Sequence, residues 1–220
     1  MKIIARIHTD FQTKFGIPRQ SGLVSLLQGK IIFEPEYQNV DAVRGLDGYE
    51  YIWLIWQFSE AILDEWSPTV RPPRLGGNKR IGVFATRSPF RPNPLGLSSV
   101  KLVRVELTDD QGPVLYVSGV DMMDGTPIYD IKPYIPLDCH PGAAAGFSDD
   151  MAENELQIIF PDNLLNLIDE EKRDSLIKVL ANDPRPSYQD DPERVYGIAF
   201  ARKDVRFKVN NGVLIVIDVI

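Results

Sequence analysis

The residues most suited to chemistry lie in one short segment, residues 82–93, which reads Gly-Val-Phe-Ala-Thr-Arg-Ser-Pro-Phe-Arg-Pro-Asn. An apolar run leads directly into this segment, and prolines separate Arg87, Arg91 and Asn93. Guanidinium groups bind carboxylates and phosphates through paired hydrogen bonds, and prolines reduce the entropy that a loop loses on binding. The segment therefore predicts a loop-borne site for an anionic ligand. The alternative is a proline-stiffened connection whose arginines pair with acids elsewhere in the chain.

This segment belongs to a basic stretch of an acidic protein. Residues 66–105 contain eight Lys or Arg and no Asp or Glu, whereas the 220-residue chain has a net charge of −7. Such a concentration of positive charge favours an ordered surface that binds a polyanion. A solvated basic face is the alternative.

A second candidate is the stretch of residues 121–134. Asp124-Gly125 and Thr126-Pro127 predict a turn that presents a carboxylate and a hydroxyl group, and Asp130 follows closely. From these residues alone, a hairpin without a role in binding is the simpler interpretation.

Several common sites are missing from the sequence. It contains neither Gly-x-Gly-x-x-Gly nor Gly-x-x-x-x-Gly-Lys-Ser/Thr, which argues against nucleotide binding by those motifs. The histidines are His8 and His140, and no serine lies in a Gly-x-Ser-x-Gly frame, which argues against a histidine-dependent hydrolase. Two histidines and one cysteine, Cys139, supply a transition-metal site poorly, so we predict no metal.

The apolar runs bear on where the protein works. They fall far short of the roughly 20 residues that a membrane-spanning helix needs, and the first residues form no signal-peptide core. A single cysteine agrees with a reducing compartment. We therefore expect a cytoplasmic protein without a membrane segment.

The first 135 or so residues are dominated by predicted strands. Apolar runs rich in β-branched and aromatic residues predict strands at residues 3–7, 30–33, 51–58, 81–86, 100–107 and 114–120. Residues 39–45 predict a short helix capped by Asn39 or Asp41, and residues 109–113 a hairpin loop. Strands at regular spacing without long helices between them favour an antiparallel barrel or sandwich.

The composition changes after Pro136, where residues 139–150 are rich in Gly, Ala and Ser. We therefore predict an N-terminal domain at residues 1–137 and a small α+β C-terminal domain at residues 150–220. The second domain is predicted to hold a helix and four strands, at residues 156–160, 164–181 (the helix), 195–201, 205–209 and 213–219. Its acidic stretch should face away from any nucleic acid.

Taken together, these segments closely resemble the TrmO family, also called TsaA-like. The resemblance is carried by residues 70–78, 82–93, 124–127 and 133–134, and it continues in the same order at residues 18–20, 41–46 and 183–188. It covers nearly the whole chain in collinear order. Chance similarity does not account for a match of this length.

The resemblance implies a function that composition does not reveal. Members of this family are tRNA methyltransferases that use S-adenosylmethionine to methylate N6 of threonylcarbamoyladenosine, the modified base just 3′ of the anticodon. The resemblance therefore implies a β-barrel cofactor-binding domain, a smaller C-terminal domain, a homodimer, and the tRNA anticodon loop as partner.

Matched residue by residue, the family's cofactor contacts fall on Pro18, Arg19, Gln20, Ser59, Glu60, Arg87, Leu97, Asp124, Gly125, Thr126 and Pro127. Many relatives have His-Gln where this chain has Ser59-Glu60, so backbone contacts are expected there. The opening strand is followed by His8-Thr9-Asp10 instead of the Arg-Ser-Pro of many relatives, which argues against a role for those three residues.

Methyl transfer from a sulfonium depends mainly on alignment of the acceptor, but N6 must also lose its proton. On chemical grounds Asp124 and Asp130 are the candidate catalytic bases. Either carboxylate could instead hold the cofactor's ammonium group or cap a turn.

For the anticodon loop we expect contacts from Arg91, Asn93, Lys132 and Arg185 to phosphates or to the threonyl carboxylate, and stacking by Tyr188. The loop that holds Arg185 could instead dock the second domain onto the first. The rival interpretation of the whole protein is a non-catalytic RNA-binding or nucleotide-sensing barrel module, for which Ser59-Glu60 is the main support.

Overall fold

The computed structural model describes residues 1–72, 75, 77–146, 155–185, 189 and 191–220. Its N-terminal part is a closed barrel of six strands: β1 (Ala5–His8), β2 (Gln28–Phe33), β3 (Tyr51–Gln57), β6 (Leu95–Thr108), β7 (Gly112–Ser118) and β8 (Thr126–Pro133). Around the barrel the order is β1-β2-β7-β6-β3-β8, and all neighbours are antiparallel. Two further short strands, β4 (Thr69–Val70) and β5 (Ile81–Gly82), pair with each other. The predicted mainly β class with an antiparallel barrel is confirmed.

The alternation of side chains along the strands fills the barrel. In β3, Ile52, Leu54 and Trp56 are buried, while the residues between them are more exposed. Successive side chains of a strand point to opposite faces, so these three share the interior face. Closure of the sheet pairs every barrel strand on both sides and leaves no exposed edge.

Two local predictions in this part are wrong. The strand predicted at residues 81–86 ends at Gly82, and Val83–Ala85 forms a 3-10 helix instead. The Val83 N–H still donates to the Pro68 carbonyl at 2.9 Å, but proline has no N–H with which to return the bond. The Val83 carbonyl instead accepts the Thr86 N–H at 3.2 Å, which closes the 3-10 turn. The stretch of residues 121–134, interpreted as a hairpin, instead contains the barrel strand β8. Its two prolines, Pro127 and Pro133, lie near the ends of the strand, where proline is tolerated.

The C-terminal part is a four-stranded sheet with two helices. Its elements are β9 (Gln157–Ile159), α1 (Asp162–Leu165), α2 (Glu170–Ala181), β10 (Tyr196–Phe200), β11 (Lys203–Asn210) and β12 (Val213–Val219). The strand order is β10-β11-β12-β9, with β9 parallel to β12 and the other pairs antiparallel. The predicted α+β composition is confirmed, although the single helix predicted at residues 164–181 is two helices.

The segment that follows β1 joins the two parts. The rings of Phe11 and Phe200 meet edge to face with centroids 5.4 Å apart, and the Ala201 N–H donates to the Asp10 carbonyl at 2.8 Å. Lys172 on α2 pairs with the Asp10 carboxylate at 2.8 Å. One cluster of buried apolar side chains therefore includes residues of both parts, and the division at residues 137–150 stays a prediction.

Among the residues that the structure describes, every helix is too short or too polar to span a bilayer. In the same part of the chain, no three His, Cys, Asp or Glu side chains come together as they would to hold a metal ion.

Candidate functional site

The positions at which cofactor contacts were predicted lie around one rim of the barrel. Strands β1, β3 and β7 end at this rim, and β2, β6 and β8 begin there. Residues 18–20 lie between β1 and β2, residues 59–60 follow β3, Arg87 lies between β5 and β6, and residues 124–127 lie at the junction of β7 and β8. Leu97 is the third residue of β6. The barrel thus brings segments that are far apart in sequence to one place.

A hydrogen-bonded chain of side chains lies beneath this rim. The Trp56 indole N–H donates to Ser98 Oγ at 2.9 Å, and the Ser98 hydroxyl donates to Asp121 Oδ1 at 2.7 Å. The backbone N–H of Ser21 also donates to the Asp121 carboxylate. Asp121 therefore connects β3, β6 and the β1–β2 connection.

Asp121 is the residue of the site whose pKa is shifted from its ordinary value. Its side chain is partly buried, and burial raises the pKa of the carboxyl group to about 6. Hydrogen bonds from Ser98 and Ser21 and the positive charge of Arg87 oppose this rise but do not cancel it. The sequence analysis missed this residue. The available signal was an acid between two apolar residues, Val120 and Met122, both of which are buried.

Arg87 and Gln20 meet across the rim, since the Arg87 guanidinium donates to Gln20 Oε1. Arg19, next to Gln20, donates to the Asp183 carbonyl at 3.3 Å and so reaches the C-terminal part. The predicted cofactor segment at residues 18–20 is therefore in contact with both a basic loop residue and the loop at Asp183.

The turn at residues 124–127 is fixed by backbone hydrogen bonds. The Asp124 N–H donates to the Phe11 carbonyl and the Gly125 N–H to the Ile7 carbonyl, both at 2.8 Å. Gly125 has φ +76°, a conformation that residues with a Cβ rarely adopt. The Asp124 carboxylate accepts the Thr9 N–H at 3.0 Å and lies 3.2 Å from His8 Nδ1. The structure thus brings His8, which the sequence analysis had discounted, against a predicted catalytic residue.

The apolar part of the rim surrounds Gly96 on β6. A Cβ at Gly96 would lie 2.2 Å from Cε2 of Trp56, so only glycine allows the indole to cover the strand there. The next residue, Leu97, points outward and is 59% exposed. Ser59 and Glu60, in the 3-10 helix Ser59–Ala61, are both exposed. The rim therefore combines an exposed apolar side chain with polar backbone and charged groups.

The predicted RNA contacts are dispersed. Arg91 braces its own loop, donating to the carbonyls of Thr86 at 3.0 Å and Ser88 at 3.4 Å, while Asn93 is exposed. Arg185 pairs with both carboxylate oxygens of Asp183 at 2.9 Å, and its side chain is only 11% exposed. Because Arg19 donates to the Asp183 carbonyl of the same loop, this arrangement agrees with the alternative in which the loop docks the two parts together. Tyr188 lies outside the described residues.

Asp130 and Lys132 lie away from the rim. Asp130 is four residues beyond Thr126 along β8, which corresponds to about 13 Å. It pairs with Lys132 at 3.1 Å and lines a cavity with Tyr37, among other residues, toward the opposite end of the barrel. Of the two carboxylates predicted as catalytic bases, only Asp124 is therefore at the rim.

Among the described residues, Arg80, Arg87 and Arg91 form no ion pair with a carboxylate, whereas Lys101 and Arg104 pair with Glu50 and Glu106. Arg80 donates to the hydroxyl of Thr69, and Arg87 and Arg91 donate to neutral oxygens. The carboxylate of Asp121 attracts the charge of Arg87 without such a pair. The alternative in which the arginines serve only to pair with acids therefore does not describe the loop at residues 82–93.

Comparisons with known proteins agree over the whole chain. Family models match residues 6–139 (tRNA-methyltransferase O N-terminal domain) and residues 153–220 (TrmO C-terminal domain). The chain is 39% identical over 217 residues to the tRNA (adenine(37)-N6)-methyltransferase of Escherichia coli (strain K12), covering 94% of this chain and 92% of that protein. It is 43% identical over 170 residues to the protein of the same name from Eikenella corrodens, covering 76% and 95%. A crystal structure of TrmO from Pseudomonas aeruginosa matches with a TM-score of 0.79 and 30% identity, covering 99% of this chain and 94% of that one.

Proposed function

The chain belongs to the TrmO family, as its resemblance predicts, and from this premise we propose that it is an S-adenosylmethionine-dependent methyltransferase acting on N6 of adenine 37 in tRNA. The observation that carries the proposal is the convergence of residues 18–20, residues 124–127, Arg87 and Leu97 on one rim of the barrel. The finer proposal is that the acceptor base carries a threonylcarbamoyl group.

The groups at this rim suit S-adenosylmethionine. The Arg87 guanidinium suits the carboxylate of its amino-acid end. Leu97 offers exposed apolar surface for the purine, and backbone carbonyls of the turn at residues 124–127 suit the ammonium group. When bound, this cofactor supplies a methyl group that its sulfonium already activates. The protein therefore needs no side-chain nucleophile for the transfer.

We propose two tasks for the chain's own residues in the reaction. The rigid rim holds the acceptor nitrogen in line for attack, which is the larger contribution to rate. The Asp124 carboxylate accepts the proton that N6 loses, since it is partly exposed and oriented by the Thr9 N–H and by His8. Asp130 would need a large movement to take this role, because its carboxylate is held by Lys132.

The anticodon loop is the proposed partner at the basic face next to the rim. Asn93 and the exposed bases Arg71, Lys79 and Arg80 suit phosphates and the threonyl carboxylate. Arg91 acts by bracing the loop that carries Asn93. Lys132, Arg185 and Tyr188 remain proposed contacts, and the ion pairs of Lys132 with Asp130 and of Arg185 with Asp183 would have to open.

We also propose a homodimer that works in the cytoplasm, where its tRNA substrate is found. Support for self-association comes from large apolar side chains on the surface. Trp66 and Phe84 stack with ring centroids 6.0 Å apart and are 51% and 71% exposed, and Ile62 and Leu63 are exposed nearby in the sequence. Light scattering coupled to size-exclusion chromatography would give twice the 24.8 kDa chain mass for a dimer.

The decisive experiment measures methyl incorporation from labelled S-adenosylmethionine. Three tRNA preparations are compared: tRNA with the threonylcarbamoyl group on adenine 37, the same tRNA without it, and a version with another base at position 37. We expect label in the first alone. Label in the first two would support the proposed methyltransferase activity but contradict the proposal that the threonylcarbamoyl group is required. Binding of cofactor and tRNA without label would favour the rival non-catalytic module.

A further inference from the structure

Asp121 is a charged residue of the rim that the proposed steps leave without a task. It lies between the end of β7 and the turn at residues 124–127, partly buried, and three segments of the proposed cofactor site reach it. Ser98, next to Leu97, donates to its carboxylate at 2.7 Å. Ser21, next to Gln20, donates its backbone N–H, and the positive charge of Arg87 attracts the carboxylate. No other carboxylate among the described residues is shown joining these three segments.

The charge of Asp121 is only partly compensated by these partners. The Ser98 hydroxyl and the Ser21 N–H are neutral donors, and the Arg87 guanidinium is shared with Gln20. Burial prevails over all three, so the pKa of the carboxyl group stays near 6 instead of its ordinary value of 3.8. A carboxylate in this state is further stabilised by any cation that enters the neighbouring space.

We propose that Asp121 supplies the negative charge by which the site selects the sulfonium cofactor over the neutral thioether that remains after methyl transfer. The inference rests on the proposed function, and it deepens that function by assigning the discrimination between substrate and product. S-adenosylmethionine and S-adenosylhomocysteine share their adenosine and amino-acid groups. They differ at sulfur, by one methyl group and one positive charge.

Most of the other proposed contacts do not make this distinction, and the carboxylates of Asp124 and Glu60 are more exposed than that of Asp121, so water screens their charge more strongly. Arg87, Leu97 and the backbone of residues 124–127 suit groups that both molecules carry, so they strengthen the binding of both. A carboxylate behind the rim attracts the positive charge at sulfur, which S-adenosylhomocysteine lacks. Because a charge acts over several ångströms in a partly desolvated site, Asp121 needs no direct contact with the sulfur. Because S-adenosylhomocysteine gains nothing from this attraction, the site binds the product less tightly than the cofactor.

The test compares the dissociation constants of both molecules by isothermal titration calorimetry at pH 7.5. Asp121→Asn removes the charge and keeps the size of the side chain. Asp47→Asn is the matched control, since Asp47 is exposed at the opposite end of the barrel. We expect Asp121→Asn to raise the dissociation constant of S-adenosylmethionine about tenfold, which is the equivalent of one pKa unit of interaction. The affinity for S-adenosylhomocysteine should change less than twofold, and the control should change neither.

A second variant separates charge from structure. Ser98→Ala removes a donor to Asp121 and so raises the pKa of the carboxyl group further. This variant is therefore compared with the wild type at pH 8.5, where the carboxylate stays ionised and the ratio of the two affinities should keep the wild-type value even if both affinities fall. The proposal is overturned if Asp121→Asn weakens both molecules equally or leaves the ratio unchanged. If the wild-type protein binds neither molecule, the proposed function itself fails. Binding of both with a ratio insensitive to Asp121 overturns the charge selection alone.

Discussion

Replacing Asp121 with asparagine should make the protein more stable at neutral pH. Burial raises the pKa of this carboxyl group to about 6 from 3.8, so the fold disfavours the ionised form. Each pKa unit corresponds to about 1.4 kcal/mol, and the shift therefore amounts to about 3 kcal/mol of destabilisation once the group is ionised. An asparagine resembles the protonated carboxyl group and avoids this cost. The asparagine NH2 group, unlike a carboxyl oxygen, cannot accept a hydrogen bond, so the variant loses part of the bonding to Ser98 and Ser21.

We therefore expect about half of this amount, or about 1.5 kcal/mol, as the gain in the free energy of unfolding at pH 7.5. For a chain of this size the midpoint of thermal unfolding should rise by about 3–6 °C. The sign follows from the raised pKa. Stability from the protonated group is fully present below about pH 3.8 and is lost as the pH rises through about 6. The ionisation cost that the variant avoids is therefore full above pH 7 and falls to roughly a fifth, about 0.6 kcal/mol, at pH 4, so the variant should no longer be the more stable protein there.

Urea denaturation of the wild type and of Asp121→Asn at pH 7.5 and pH 4 measures this difference directly. Asp47→Asn, measured in parallel, gives the effect of removing an exposed charge. A loss of stability at pH 7.5 would refute the reasoning, because it would mean that the hydrogen bonds to the carboxylate outweigh its burial. A gain that is equal at both pH values would show that ionisation is not its origin. Higher stability together with weaker cofactor binding is what a residue kept for function produces.

The remaining predictions concern the cofactor, the packing of the rim and the RNA. Arg87→Ala should weaken the binding of S-adenosylmethionine at least tenfold, as measured by calorimetry. Because this side chain is exposed, the unfolding midpoint should stay close to the wild-type value. An unchanged affinity would show that Arg87 is not part of the site. Gly96→Ala should cost about 1–3 kcal/mol of unfolding free energy, because its methyl group would overlap the Trp56 ring, whereas Gly82→Ala, with open space around the glycine, should cost less than 1 kcal/mol; equal costs in denaturation experiments would contradict the packing argument. The logarithm of the tRNA association constant should fall linearly with the logarithm of salt concentration, and Arg80→Ala should reduce the slope by about one; a slope near zero in filter-binding titrations would argue against phosphate contacts.

The positions of the strands could largely be predicted from the sequence, because strand formation depends on the types of residues that are adjacent in the chain. The apolar run at residues 51–58 predicted β3, and the strand at Val213–Val219 was predicted with its observed bounds. The predictions failed where a partner distant in sequence decides the local structure. Pro68 has no N–H to continue the pairing of β5 beyond Gly82, and pairing with β1 and β3 makes a strand of a stretch that begins like a turn.

For the candidate site, the amino-acid sequence determined which residue types were available: an arginine loop braced by prolines, an acid-free basic stretch, and a chain-long resemblance to one family. The tertiary structure alone decided which of them share a rim. It brought Arg87 to Gln20, set His8 against Asp124, and left Asp130 paired with Lys132 toward the other end of the barrel. It also gave Asp121 its unusual ionisation, because desolvation depends on what surrounds a carboxylate in space and no local pattern of residues encodes that.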